Sequence, residues 1–380
     1  MIFLDNASTT KLCSKALKNL NKYSTEKFYN PSSIYSVGIE NFNKIIDVKE
    51  LICEKLNVKF NNNIIFTGSA TEASNLAISG SYKKSFKKII VSKGEHPSVF
   101  NVALNKKLKG AQVEFINLQK SGEIDYEHFE SLLDNNVNFI SIIHISNETG
   151  AINDLNKICN IKNKKCPNAI LHIDGVQAFG KIETDLSEND VDFYTISAHK
   201  LHGPKGLGVL YVKNPNKLQT QIWGGGQEYN LRSGTENLAS IMAFKSAIEN
   251  IGDIEKSFKK VLKLNNAFKK NLFNLLDEKI KIKFMQNDNL SPYIMSFCVP
   301  GIKGETLLRM CDNKGLLIST GSACSSKKSG NRILEAIGYS KKEIEGNVRV
   351  SFSKQSTSLE IKNGSEILAS CINELYFKMN

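Results

Sequence analysis

Ser197-Ala198-His199-Lys200-Leu201-His202-Gly203-Pro204-Lys205-Gly206 sets a lysine just past an apolar run, residues 193–197, and just before a Gly/Pro turn. Upstream, Asp174-Gly175-Val176-Gln177 closes a second apolar run, residues 169–174. A lysine and a carboxylate at two strand ends suit pyridoxal 5'-phosphate (PLP) chemistry. The amine condenses with the aldehyde, and the carboxylate keeps the pyridine nitrogen protonated so that the ring draws electrons. Ser197 and His199 flank the lysine, where they could hold a phosphate. A surface lysine beside a tight turn gives the same local pattern, so the rest of the chain has to decide.

Four further places could carry chemistry. Gly68-Ser69-Ala70-Thr71-Glu72 follows an apolar run and opens a helical stretch, so its backbone N–H groups and the Thr71 hydroxyl could take a phosphate. A simple Ser/Thr helix cap looks identical. His96 precedes Pro97; its imidazole could stack on a planar cofactor and move protons, or be a plain polar loop residue. Cys324 lies in Gly321-Ser322-Ala323-Cys324-Ser325-Ser326, whose Gly, Ser and Lys flanks predict a mobile polar loop. A thiol there is exposed, and Lys327 and Lys328 would favour its thiolate. Arg349 alternates with Val348 and Val350; it either faces solvent or clamps a substrate carboxylate.

The elements that must position these groups are short and apolar. Strands are predicted at 63–67, 88–92, 113–118, 139–146, 169–174, 193–197 and 208–212, alternating with helical or loop segments. Continuous apolar runs between helices predict an α/β fold around a mainly parallel seven-stranded sheet covered on both faces. In such sheets ligands bind beyond the carboxyl ends of the strands. Five predicted strand ends carry polar residues there: 68–71, Glu95-His96, Asn147-Glu148-Thr149, Asp174, and Ser197 to Lys200. Helical periodicity through Phe258, Val261, Leu262, Phe268, Leu272, Leu275 and Leu276 then leads into a smaller α+β region, with strands near 280–284, 293–300, 315–320 and 347–353 and a helix at 331–338.

A chain of 380 residues can bury a large core and is long enough for one large and one smaller domain. Its net charge of +12 comes from scattered lysines, not one basic stripe, so no direct nucleic-acid partner is expected. The first ten residues lack the pattern of a secretory signal, and no run approaches the ~18 apolar residues of a membrane span. Eight cysteines without CxxC spacing fit a reducing cytoplasm better than a disulfide framework or a zinc site. Seven of them read as core filler; Cys324 does not.

The ordered set LDNAST, NPSS, ATEASN, EHP, NETG, HIDGVQ, SAHKLHGPKG, GGGQE, RSGTEN, GSACSS and VRVS resembles the cysteine desulfurases of the NifS/IscS type, within the class V aminotransferases of PLP fold type I. The resemblance runs from residue 3 to about residue 375, and GSACSS is particular to the desulfurases with a mobile-loop cysteine. It implies a large PLP-binding domain over 15–255 and a small domain from 1–14 and 256–380. It implies that Lys200 carries PLP, Asp174 pairs with the pyridine nitrogen, Gln177 bonds the ring hydroxyl, and His96 stacks on the ring. Ala70, Thr71, Ser197 and His199 would hold the phosphate, with Thr235 reaching it from the partner subunit of a homodimer. Asn147 would sit near the cofactor hydroxyl and the substrate, with Arg349 and Asn30 on L-cysteine. Cys324 would take the sulfur as a persulfide and hand it to an acceptor protein, for iron–sulfur cluster assembly or tRNA thiolation. No resident metal is implied, although the Cys324 persulfide could transiently ligate an iron–sulfur cluster. A selenocysteine lyase or another class V enzyme would use the same PLP residues. Three departures stand out: GSAT in place of SGAT, two lysines where Leu-Glu-Pro usually follows the cysteine, and VSFSK after Arg349.

Overall fold

Strands with both faces covered are mostly apolar, and in the central strands of this protein the buried polar side chains Ser141, His172 and Thr195 bond one another. The computed structural model describes residues 1–59, 63–83, 86–285, 287, 289–321 and 331–379. Its strands are β1 (Ile2–Phe3), β2 (Ile64–Thr67), β3 (Lys88–Ser92), β4 (Val113–Ile116), β5 (Val137–Ile143), β6 (Ile170–Asp174), β7 (Phe193–Ser197), β8 (Gly208–Val212), β9 (Lys283–Phe284), β10 (Ile294–Cys298), β11 (Leu316–Leu317) and β12 (Asn347–Ser351). The first large helices are α1 (Ser14–Thr25), α2 (Ser36–Lys55), α3 (Ala70–Ser81) and α4 (Pro97–Leu108). They are followed by α5 (Tyr126–Leu132), α6 (Leu155–Lys165), α7 (Leu238–Glu249) and α8 (Ile254–Leu275). The chain ends with α9 (Gly304–Asn313), α10 (Arg332–Ala336), α11 (Lys341–Glu345) and α12 (Ser358–Met379).

Seven strands form one sheet in the order β2-β8-β7-β6-β5-β3-β4. Only β8 runs against its neighbours, pairing antiparallel with β2 and β7. The carboxyl ends of β2, β3, β5, β6 and β7 therefore point the same way. Alternate side chains feed two cores: Ile64, Phe66, Val209 and Tyr211 enter one, and Ile65, Leu210 and Val212 enter the other. Helices α1, α2, α6 and α7 cover the first face, while α3 and α4 cover the second.

Helices begin where side chains can take their free N–H groups. Ser69 accepts from Glu72 N–H at 3.1 Å to open α3, Asp154 caps α6, and Pro97 stands in the first turn of α4. The start of β8 passes directly beneath the first of these caps. A Cβ on Gly208 would fall 2.3 Å from the Ser69 carbonyl carbon, so only glycine lets the strand and the α3 N-terminus approach this closely.

The remaining strands are shorter than the sequence predicts, because pairing rather than apolar run length sets their ends. β10 pairs antiparallel with β12 and β9. The run at 315–320 reduces to β11, which pairs parallel with β1 at the other end of the chain. A third core gathers Leu4 and Ala7 with residues of α8, β10, α9, β12 and α12. Among the described residues, no helix is long and apolar enough to cross a membrane.

Candidate active site

Strand β6 delivers Asp174 to the carboxyl edge of the sheet and stops, because the next residue must be glycine. A Cβ on Gly175 would lie 2.0 Å from the buried Tyr194 ring. Val176 N–H then turns back to donate to Asp174 Oδ1 at 3.0 Å. The carboxylate is 3% exposed. Burial pushes its pKa up to about 6, although the Val176 N–H and the charge of Lys200 oppose the rise.

Lys200 ends a single 3-10 turn after β7. Its Nζ donates to the carbonyls of Ala7 at 2.7 Å and Ser8 at 2.6 Å. Gln177 Nε2 donates to the same Ala7 oxygen at 3.0 Å, so two side chains from different strand ends meet on one acceptor. The segment carrying that acceptor lies across the strand ends: Thr10 N–H donates to His199 O, and Ala7 N–H donates to Ser351 Oγ.

His96 is the N-cap of α4, and its Nδ1 faces Ser98 Oγ at 2.8 Å. His96 is exposed. Desolvation by the surrounding protein, followed by the charges of Lys200 and Arg332, pushes its pKa down, so the imidazole is neutral at physiological pH. Beneath it, the Glu95 carboxyl is fully buried, and neither oxygen has a hydrogen-bond partner. Burial and then the neighbouring Asp174 charge raise its pKa well above the carboxylate range, which makes it a neutral acid.

At the other edge, Ala70 and Thr71 open α3 with their backbone beside Gly68 and Ser69. Glu72 braces this loop, accepting from Gly68 N–H at 2.9 Å and from Arg232 Nε at 2.7 Å. Ser197 is buried at the end of β7, and His199 Nδ1 faces Thr9 Oγ1 at 3.1 Å. Two expected site residues are not drawn in by contacts of this kind. Thr235 is exposed. Asn30 is exposed too, its Oδ1 accepting from Ser32 N–H in the turn before α2.

Arg349 does not face solvent: β12 is buried on both faces, and Arg349 is 5% exposed. It donates to Asn147 O at 2.7 Å and to Asp5 Oδ1 at 3.1 Å, and lies 3.7 Å from Glu148 Oε1. Its Nε and the Asn147 Oδ1 are buried without partners. Glu148 also receives Asn331 Nδ2 at 3.4 Å and Asn147 Nδ2 at 2.9 Å. Cys324 lies outside the described residues. The other seven cysteines are all buried thiols, and burial raises the pKa of Cys53, Cys159 and Cys166 to about 11 and of Cys298 to about 12.

The residues present fit PLP. A carboxylate whose pKa burial has raised matches a protonated pyridine nitrogen, which would supply a counter-charge. A lysine stands within its field, and a helix N-terminus opens beyond it. Glu95, Glu148, Lys181 and Arg332 complete the site; the sequence marks the first two only as polar strand-end residues and gives no local signal for Lys181 and Arg332. Arg332 alone reaches back 239 positions to Lys93 O.

The Asp174 charge has a measurable cost. A rise from 3.8 to about 6 corresponds to about 3 kcal/mol borne by the folded apoprotein above pH 6 and relieved as pH falls from 6 towards 4. Asp174→Asn apoprotein is therefore expected to melt higher than wild type at pH 7.5, with the gap closing near pH 4, while its PLP affinity drops. Melting curves across pH and equilibrium dialysis with PLP check both halves. An Asn variant less stable at pH 7.5 would contradict the reading.

The fold and this arrangement are those of a PLP-dependent transferase. The chain belongs to the class V aminotransferase family, whose model matches residues 2–363. It is 34% identical to a NifS/IcsS protein homolog of Lactobacillus delbrueckii subsp. bulgaricus, over 99% of this chain and 97% of that one. It is 31% identical to the cysteine desulfurase IscS of Dictyoglomus turgidum, over 98% and 95% of the two chains. A solved NifS-like protein superposes with a TM-score of 0.90 at 29% identity, covering 99% of each chain.

Proposed function

We propose that the protein is a PLP-dependent cysteine desulfurase that converts L-cysteine to L-alanine and carries the sulfur as a persulfide on Cys324. The observation that carries this reading is the meeting of Lys200, Asp174, Gln177 and His96 at one sheet edge, with a buried arginine, Arg349, beside them. PLP, when bound, supplies an aldehyde for the substrate amine and a ring that stores the electrons of the breaking bonds. Lys200 would hold it covalently, Asp174 would pair with its ring nitrogen, and Gln177 would donate to its hydroxyl. Ala70, Thr71, Ser197 and His199 would surround its phosphate.

Arg349 would grip the substrate carboxylate as a bidentate donor, with Asn147 beside it. Lys200, released as substrate takes its place, and neutral His96 would move the proton from the substrate Cα. The Cys324 thiolate would then attack the substrate sulfur. A carbon–sulfur bond breaks, a sulfur–sulfur bond forms, and the carbon keeps its electron pair and is protonated to alanine. The burial of the seven described cysteines, and the raised pKa of Cys53, Cys159, Cys166 and Cys298 among them, support assigning this step to Cys324.

The proposal extends to a homodimer in which the partner subunit supplies Thr235 to the phosphate and Asn30 lies near the substrate. Exposed apolar side chains support it: Phe28, Ile34, Tyr35, Ile39 and Phe42 around the start of α2, and Trp223 in the Gly-rich stretch, with Ile34 94% and Trp223 83% exposed. Such an area of apolar surface marks an interface. A large domain over 15–255 and a small one from 1–14 and 256–380 belong to the same reading, supported by the separate core around Leu4, Ala7 and α12. So does a cytoplasmic setting with a sulfur-acceptor protein for cluster assembly or tRNA thiolation.

The test is to incubate the PLP-loaded protein with L-cysteine and a thiol, measuring alanine and sulfide. Equal amounts of the two are expected. Absence of alanine would overturn the reading, and activity confined to selenocysteine would transfer it to the lyase alternative.

A further inference from the structure

Lys181 is the one lysine of the site that the proposed chemistry does not use. It is 7% exposed, at the end of the tight turn that follows Asp174, and among the described residues no carboxylate pairs with it. Burying an amine without a counter-charge is costly, and only its hydrogen bonds offset that cost. Desolvation, then the charges of Lys200 and Arg349, push its pKa down to about 7. His199, His202 and the Tyr293 ring, 5.6 Å from its Nζ, complete its surroundings.

Its hydrogen bond goes to Gln177 Oε1, at 2.7 Å. A protonated Lys181 can only donate, so its contact with Oε1 sets which end of the Gln177 amide is which. With Oε1 held by Lys181, Nε2 is turned to the Ala7 carbonyl, the oxygen that also receives Lys200 Nζ. The chain of contacts runs Lys181 to Gln177 to Ala7 O, and Lys200 meets it there. Without Lys181, among the described contacts of Gln177 only the Ala7 carbonyl distinguishes its nitrogen from its oxygen.

We propose that Lys181 is a positioning residue: it fixes the Gln177 amide so that its N–H group, not its oxygen, faces the cofactor's ring hydroxyl. This rests on the PLP reading above and assigns a role to a residue that reading leaves idle. A donated N–H stabilises the ionised ring oxygen and makes it a weaker internal acceptor. Losing that donation makes the bound cofactor hold its own proton more tightly.

The test uses holoenzyme with Lys181→Met, which keeps an unbranched side chain one atom shorter and removes its donor. The pH midpoint of the bound cofactor's absorbance change is expected to rise by roughly one unit, the equivalent of one hydrogen bond. Lys181→Arg, which restores a donor, should move the midpoint back towards wild type. Gln177→Leu should give a similar rise, and adding Lys181→Met to Gln177→Leu should add little, because the effect passes through the amide. Apoprotein melting separates this from a packing role, since Met in a buried site should not lower the melting temperature. A midpoint unmoved by Lys181→Met, or a shift equally large in the Gln177→Leu background, would overturn the inference while leaving the PLP reading intact. A wild-type protein that binds no PLP would overturn both.

Discussion

Lys200→Ala is expected to lose covalent PLP and to turn over L-cysteine more slowly by about 10⁴-fold or more, because one side chain serves as cofactor anchor and proton carrier. Its Nζ sits 2.6–2.7 Å from two backbone oxygens and within the field of Asp174, a setting given to no other described lysine. Borohydride reduction and peptide mapping of the wild type should place the pyridoxyl group on Lys200; finding it on Lys181 or Lys205 would contradict the assignment. The same variant tests the dimer. Mixed with Thr235→Ala subunits, also inactive, it should regain part of the activity, since one hybrid site keeps an intact lysine and an intact threonine. A fully active monomer by light scattering would exclude shared sites.

Cys324→Ala is expected to bind PLP with unchanged affinity and to react with L-cysteine as far as the loss of the Cα proton, while alanine release falls by about 10³-fold or more for want of a nucleophile. The described cysteines cannot substitute: Cys298 is 0% exposed and its thiol pKa is about 12, which leaves almost no thiolate at neutral pH. Retention of wild-type alanine release by Cys324→Ala would favour the class V alternatives that need no sulfur carrier.

The large sheet was legible because strands covered on both faces leave a simple trace, an apolar run without alternation, and all seven such runs pair in one sheet. Asp174, Ser197 and Lys200 were legible for the same reason, as polar residues at the ends of those runs. Arg349 was ambiguous, since its valine neighbours fit a strand with one wet face equally well; only the packing of α8, α12 and the first ten residues buries both faces. Glu95 and Glu148 showed only as polar residues at strand ends, and Lys181 and Arg332 left no trace, because their roles depend on partners brought together from distant parts of the chain. The Gly-rich stretch hides another case. Glu228, Tyr229 and Asn230 follow one another with φ of 49°, 59° and 63°, a left-handed run that no glycine announces. It is held by the buried Lys49–Glu228 pair at 2.7 Å, formed across 179 positions of sequence.

The central claim, that sulfur passes from L-cysteine to one thiol of this chain, meets its most direct test in a single turnover. PLP-loaded protein is mixed with one equivalent of L-cysteine without reductant, then digested and mapped by mass spectrometry. The peptide holding Cys324 should gain the mass of one sulfur atom, lose it on addition of a thiol, and leave the seven other cysteine peptides unchanged. An extra sulfur on Cys298 or Cys311, or alanine formed with no sulfur on any cysteine, would contradict the account.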